Sequence, residues 1–105
     1  MEKTIVTGYD GIFSSSFWGG VVRASIAQLE KLFNVESVYQ DDDKTKYSLQ
    51  LVADGIPFEI YDWKEGIIDE NTILWLHIGT NDESETDKVV KALRGYGLSV
   101  NKWRY

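Results

Sequence analysis

The sequence contains no cysteine, one proline, one histidine and no long apolar run. Without cysteine the chain can form no disulfide and can use no thiolate, and a small domain of this kind is more typical of a reducing cytoplasm than of the secreted space. No run approaches the roughly 18 apolar residues that span a bilayer, and the first residues lack the pattern of a signal peptide. We therefore expect a cytoplasmic protein without a membrane partner.

Positive charge is also scarce. The chain has 11 Lys and Arg against 17 Asp and Glu, which gives a formal net charge of −6 at pH 7. Binding to nucleic acid needs a basic surface, so we expect no bulk nucleic acid among the partners. Two interpretations of the acidic balance remain: a solvated surface that keeps the protein soluble, or electrostatic steering toward a basic partner.

Catalytic and metal-binding motifs are missing as well. His77 is the sole histidine, and no nucleophile elbow accompanies it. The run Asp41-Asp42-Asp43 lacks the spacing and the glycine of a calcium loop, which favours a solvated turn. We predict no catalytic residue, no metal and no cofactor, and a small hydrolase that uses His77 is the least favoured alternative.

What the chain does contain is a globular composition that is rich in aromatic residues. Hydrophobic residues make up 43% and charged residues 27% of 105 residues, which predicts a single folded domain over residues 1–105. Four Trp and six Tyr are many for this length. These side chains combine a large apolar body with a polar tip, so they serve both cores and recognition surfaces.

Two segments have helical patterns. Residues 25–28, Ser-Ile-Ala-Gln, match a capping box, and Asn34 can end the helix that follows. A second helix is expected after Asp82 or Ser84, because acidic residues that suit a helix N-terminus come next. Gly95 is expected to end it.

Strand patterns fill most of the rest. Residues 46–53 and 56–63 alternate apolar and polar side chains around Asp54-Gly55, which predicts a hairpin with a two-residue turn. Residues 73–78 are apolar almost throughout and predict a central strand. Shorter strands are expected at 3–8, 35–40 and 98–103. By contrast, the glycines and serines of residues 9–20 predict a long irregular loop, a kind of segment that is often functional.

This order of elements predicts an α+β fold: a two-layer sandwich with a mostly antiparallel sheet of four to six strands and two helices on one face. The matched periodicities also predict the core. Its expected members are Ile5, Ile26, Leu29, Leu32, Phe33, Leu49, Leu51, Phe58, Ile60, Leu74, Leu76, Ile78, Val89, Val90 and Leu93.

The sheet face away from the helices is the predicted binding surface. Period-two alternation puts aromatic side chains of two strands there, and the 9–20 loop and the residues after it can reach them. The expected binding residues are Tyr61, Trp63, Trp75, His77, Phe17, Trp18 and Arg23. In the alternative interpretation the loop folds over these aromatic residues and buries them. The loop could also cradle a phosphate on backbone N–H groups, although it has no P-loop lysine.

One stretch carries a resemblance. The run Ile60-Tyr61-Asp62-Trp63-Lys64-Glu65, with the preceding Asp54-Gly55 turn and the later Leu76-His77-Ile78-Gly79, resembles small uncharacterised bacteriophage proteins with a Tyr-Asp-Trp-Lys hairpin motif. The similarity covers roughly residues 21 to 94, and Thr80 stands where that group has a second glycine. The resemblance implies a viral origin and the cytoplasm of an infected host bacterium. Small acidic phage domains of this type are often inhibitors of host machinery.

Together these observations predict a non-enzymatic binding protein, a phage-encoded inhibitor that sequesters a host defence factor. The factor could be a host protein, which would meet the acidic surface, or a nucleotide-like small molecule, which would stack on aromatic rings near Arg23. The alternative is a structural or accessory domain that forms a homodimer through its aromatic face.

Overall fold

The computed structural model describes residues 4–11, 13, 15–39, 47–62 and 71–102. Two features considered above lie outside the described residues, namely Trp63 and the Asp41–Asp43 turn.

The described residues form a mixed fold of strands and two helices. In chain order they are β1 (Val6–Gly8), β2 (Phe17–Ala24), α1 (Ile26–Phe33), β3 (Val38–Tyr39), β4 (Tyr47–Ala53), β5 (Ile56–Tyr61), β6 (Leu74–Thr80), α2 (Glu83–Arg94) and β7 (Ser99–Lys102). They build one antiparallel sheet in the order β1-β4-β5-β6-β2-β7. Strand β3 pairs with β4 beyond the end of β1, along the same edge, so the sheet is six strands wide. Both helices contribute to one core with the same sheet face, which confirms the predicted α+β sandwich.

The local signals for turns and caps are confirmed. Ser25 is the N-cap of α1, and its hydroxyl accepts from the Gln28 N–H at 3.0 Å. Asn34 ends that helix in the left-handed conformation, at φ 55°. Asp54 and Gly55 form the two-residue turn between β4 and β5, both with positive φ, as a turn that follows the strand twist requires.

Strand β2 contradicts the predicted loop. Residues 17–20 were expected to be irregular, yet Phe17–Ala24 lies inside the sheet between β6 and β7. Two glycines give this segment a low intrinsic preference for strand. Hydrogen bonding to neighbours on both edges outweighs that preference, since β2 pairs with β6 over its whole length and with β7 from Gly20 to Arg23.

The predicted core differs from the observed core at a few positions. Ile5 and Leu32 are 68% and 39% exposed, because Val6 takes the inward position of β1, while Leu29 and Phe33 form the buried stripe of α1. Leu74 is only partly buried and packs against the core. The remaining predicted core residues are buried. Further buried members come from β1, β2, β4, α2 and β7: Val6, Val22, Ala24, Ala53, Ala92 and Val100. Neither of the described helices is long and apolar enough to cross a membrane.

Candidate functional site

The candidate site lies on the open face, the sheet face opposite to the helices. Strand β5 places Tyr61 directly beside His77 of β6, and β2 places Val21 on the other side of His77. The next residues of these strands, Ile60, Ile78 and Val22, belong to the core. Because side chains alternate between the two faces, Tyr61, His77 and Val21 share the open face.

A β-bulge in β2 turns Trp18 toward this face. Trp18 pairs with Gly79 of β6, and Gly20 pairs with Ile78, so β2 accommodates one extra residue, Gly19. Regular pairing would place Trp18 on the same face as Gly20, toward the helices. The bulge reverses that orientation, as bulges next to functional sites often do, and brings the indole over the open face.

Trp18 and Tyr61 enclose the imidazole of His77. The Trp18 ring stacks on the His77 ring with a centroid distance of 4.0 Å and an interplanar angle of 4°. Tyr61 meets the same imidazole edge-on at 5.5 Å and 66°. The Trp18 Nε1–H donates to the Gly20 carbonyl at 2.9 Å, which fixes the indole on its own strand. His77 is consequently only 8% exposed, although neither of the two described helices packs on this face.

The described residues of the segment 9–16 cross the open face and form one wall of the site. Hydrogen bonds to β4, β5 and β6 fix their course: Tyr9 N–H to Gln50 O at 2.9 Å, Phe13 N–H to Gln50 Oε1, Ser15 Oγ–H to Glu59 Oε1 at 2.8 Å, and Ser16 N–H to Thr80 O at 3.1 Å. Gln50, Glu59 and Gly79 occupy one row across the sheet. The segment therefore crosses β4, β5 and β6 at the level of these three residues.

Gly79 makes this crossing sterically feasible. A β-carbon added at Gly79 would lie 2.6 Å from the Ser15 Cβ, well inside van der Waals contact. The close approach of Ser15 to β6 thus depends on the missing side chain, which is a common reason for glycine within a strand.

A pocket of about 420 Å³ opens between this crossing and the stacked rings. We call it the aromatic pocket, and its lining residues are Ser15, Ser16, Phe17, Trp18, Tyr61 and His77. Its volume falls within the roughly 300–1,000 Å³ that is usual for small-molecule sites. The Trp18 indole, the Tyr61 phenol, the His77 imidazole and the two serines combine aromatic surface with a few polar atoms, which is the composition typical of binding pockets.

Two carboxylates, those of Glu59 and Asp62, lie near the aromatic pocket. Burial lowers the pKa of His77 below its ordinary value, and the negative charge of Asp62 acts in the opposite direction without reversing the effect. The imidazole is therefore neutral at pH 7, with one nitrogen that donates and one that accepts. Asp62 is 2% exposed and accepts from the Tyr47 N–H at 2.7 Å, while Glu59 holds Ser15 at the pocket wall.

The second part of the open face is the Trp75–Arg23 pair. These residues are direct neighbours in the pairing of β6 and β2, and the Arg23 guanidinium carbon lies 5.8 Å from the centroid of the Trp75 ring. Trp75 is 37% exposed, in contrast to His77. It is two residues from His77 along β6, a strand distance of about 7 Å.

The predicted site residues are thus divided between two places. The structure brings Phe17, Trp18, Tyr61 and His77 together in the aromatic pocket and sets Trp75 and Arg23 apart as an exposed pair. The sequence allowed two interpretations: the aromatic residues of the open face are exposed, or the 9–20 segment buries them. Each interpretation holds for one part of the open face. The segment covers His77 and leaves Trp75 open.

The described residues of the 9–20 segment do not form the suggested phosphate loop. Gly19 and Gly20 belong to β2, and the backbone N–H groups of Phe13 and Ser16 donate to Gln50 and to a β6 carbonyl. A phosphate cradle needs such N–H groups to converge on the ligand. Here they fasten the segment to the sheet.

The serine hydroxyls near His77 also have other roles. Ser15 Oγ–H donates to Glu59, and Ser16 Oγ–H donates to the Asn81 carbonyl at 3.3 Å. Each hydroxyl has a single proton, and a serine nucleophile must direct that proton to its base. This arrangement positions the two serines as wall residues of the pocket.

Several contributors to the site were not recognised from the sequence. Nothing in the sequence indicated the hydrogen bond between Ser15 and Glu59. Asp62 and Gly79 gave no signal of their own, because their roles depend on contacts with residues far away in the chain. The bulge at Gly19 was missed together with β2.

No group of three or more His, Asp or Glu that could hold a metal ion occurs among the described residues. The site has to be interpreted from its own geometry, since no protein-family model, no curated protein and no solved structure matches this chain.

Proposed function

We propose that this chain is a non-enzymatic binding protein that holds its partner at the aromatic pocket. The observation that carries the proposal is the stacked Trp18–His77 pair, with Tyr61 at its edge, in the lining of the aromatic pocket. The bulge and the crossing segment build this arrangement through contacts within the chain, which fix the rings in place. Such preorganisation favours tight binding because little ordering remains to be done.

Binding fits the side-chain chemistry better than catalysis does. The hydroxyls of Ser15 and Ser16 donate to other acceptors, and the imidazole of His77 lies between two aromatic rings. Tyrosine and tryptophan are the residue types that most often dominate binding energies at interfaces. These features support a recognition site without a reaction.

We further propose that the partner is a host defence factor and that the protein is a phage-encoded inhibitor in the host cytoplasm. The resemblance of residues 21 to 94 to phage proteins supports this origin. The net charge of −6 supports a partner with a basic surface and disfavours bulk nucleic acid. Duplex and single-stranded DNA are expected not to bind in a fluorescence titration at about 0.15 M salt, where exposed charges are screened beyond about 8 Å.

A second candidate function, a dimerisation domain, has one observation in its favour. Trp75 is 37% exposed and Ile73 is 58% exposed on the strand end that the crossing segment leaves uncovered. Exposed apolar side chains of this size often mark interaction sites. In that case the Trp75–Arg23 pair would form the contact between two copies.

The two functions can be separated with matched Trp→Ala variants. The tagged full chain, Trp18→Ala and Trp75→Ala serve as baits in a bacterial lysate, and native mass spectrometry of each purified protein gives its oligomeric state and any retained molecule. Our proposal expects Trp18→Ala to lose the captured partner and Trp75→Ala to keep it. Thermal unfolding of each variant verifies that it is folded.

The opposite pattern would contradict the proposal. Capture that survives in folded Trp18→Ala would place the binding site elsewhere. A native dimer that only Trp75→Ala converts to a monomer would favour the second candidate.

A further inference from the structure

We propose that the aromatic pocket takes a cationic side chain, an arginine or a lysine of a basic partner protein. This inference rests on the proposed function and names the chemistry that the pocket selects. Three features of the described residues support it: the aromatic faces, the sign of the nearby charges and the size of the pocket.

The aromatic lining suits a cation. Trp18 and Tyr61 contribute two rings to a pocket of about 420 Å³, whose lining also includes Phe17. A guanidinium or ammonium group within about 6 Å of a ring centroid is attracted by the electrons of the ring face, most strongly by tryptophan. The open face already has one such contact, since the Arg23 guanidinium carbon lies 5.8 Å from the Trp75 ring centroid.

The charges around the pocket have the sign that a cation requires. Ser15, a lining residue, is bonded to the Glu59 carboxylate at 2.8 Å, and Asp62 follows Tyr61 in the chain. The lining residues in the described part of the chain include no Lys or Arg, and His77 is neutral at pH 7. The negative charge of these two nearby carboxylates would therefore repel a phosphate and attract a cation.

The position of Arg23 argues against a nucleotide in particular. A nucleotide site would need a cation for the phosphate next to the stacking rings. Arg23 is the cation expected for that role, yet it lies over Trp75, two residues along the strands from the level of His77. The rings that would stack on a base and the arginine that would bind its phosphate are thus apart from each other.

The size of the pocket fits one side chain. At about 420 Å³ it is near the lower end of the range for small-molecule sites. One guanidinium or ammonium group with its aliphatic stem can enter, and the rest of the partner would lie on the acidic surface outside. The net charge of −6 would steer a basic partner toward that surface.

The test uses three small probes against the full chain. N-acetylarginine amide supplies the cation, N-acetylcitrulline amide has nearly the same shape without the charge, and adenosine monophosphate supplies the alternative of a base with a phosphate. Binding is followed by NMR through the Trp18 indole N–H and the Tyr61 backbone N–H. We expect the arginine probe to bind at least about threefold more tightly than the citrulline probe, as loss of a cation–π contact implies. Adenosine monophosphate should cause no shift at these positions.

Two variants connect this binding to the pocket. Glu59→Gln keeps an oxygen that accepts from Ser15 but removes the charge, and it should weaken the arginine probe by about two- to fivefold, the range for a partly exposed charge pair. Trp75→Ala is the control, since it removes the other cation–π contact and should leave binding at the Trp18 indole unchanged. Both substitutions are at partly exposed positions, so both variants should fold.

Each contrary result overturns the inference. Equal affinity for the arginine and citrulline probes, an unchanged affinity in Glu59→Gln, or tighter binding of adenosine monophosphate would exclude selection of a cation. Absence of any shift with the arginine probe would do the same. The proposed function fails by a different result, namely capture of a partner that does not depend on Trp18, so the two failures can be told apart.

Discussion

Leu76 and His77 are consecutive residues of β6, and the chain buries them in two different ways. Leu76 faces the helices and is 0% exposed, while His77 faces the other side and is 8% exposed. Leu76 belongs to a cluster of apolar residues that both helices and six strands build. A bulge, two aromatic rings and one crossing segment cover His77. Burial on the helix side is therefore shared among many contacts, whereas on the open face it depends on a few.

The largest effect is expected on the helix side. Leu76→Ala removes a fully buried side chain from the middle of the sheet, and it should lower the free energy of unfolding by about 2–5 kcal/mol. Chemical denaturation of the variant and the wild type measures this difference.

Leu32→Ala is the matched control for that substitution. Its pattern along α1 suggested a core position, but Leu32 is 39% exposed. The same change should cost less than about 1 kcal/mol there. Similar losses of unfolding free energy in Leu76→Ala and Leu32→Ala would contradict the difference in burial between the two leucines.

A smaller effect is expected at the crossing of the open face. Gly79→Ala would bring a methyl group to 2.6 Å from the Ser15 Cβ, and the forced displacement should cost about 1–3 kcal/mol. The double variant Gly79→Ala/Ser15→Gly removes the opposing side chain and should recover part of the loss. A double-mutant cycle by denaturation measures the coupling, and additive losses would mean that Ser15 does not press on this strand.

A substitution in the exposed Trp75–Arg23 pair should lower the free energy of unfolding still less. Trp75→Ala leaves the aromatic pocket intact and removes a side chain that is 37% exposed, so we expect a loss below about 1 kcal/mol. A loss as large as that of Leu76→Ala would mean that Trp75 belongs to the structural core and would remove the contrast between the two parts of the open face.

The smallest effect concerns pH. Because the folded state lowers the pKa of His77, the unfolded chain binds more protons once the pH falls below the ordinary value of 6.5. Stability should then decrease on acidification from about pH 7.5 to about pH 5, and His77→Gln should show a weaker decrease over this interval. In the wild type the charge of Asp62 raises the pKa of His77 and so opposes the effect of burial. The neighbouring carboxylates are present in both the wild type and His77→Gln. The difference between the pH dependences of their unfolding free energies, measured by denaturation, therefore reports His77. Parallel pH dependences would contradict this assignment.

Much of the fold could be predicted because its signals are local. The capping serine, the left-handed Asn34 and the Asp54-Gly55 turn depend on a few adjacent residues, and each was found where it was expected. The alternation in β5 and β6 set Tyr61 and His77 on the same face, since the side-chain period of a strand is two. The residue types of the pocket were therefore accessible from the sequence.

The sequence by itself determined the sandwich, its helix ends, its hairpin and the face on which the aromatic residues lie. Only the tertiary structure decided that Phe17–Ala24 is a strand, because pairing on two edges compensates for its glycines. It also decided which rings meet. The bulge at Gly19 turns Trp18 onto His77, and the contact of Ser15 with Gly79 joins residues that are 64 positions apart. Contacts of this range follow from the packing of the whole sheet, and no local propensity encodes them.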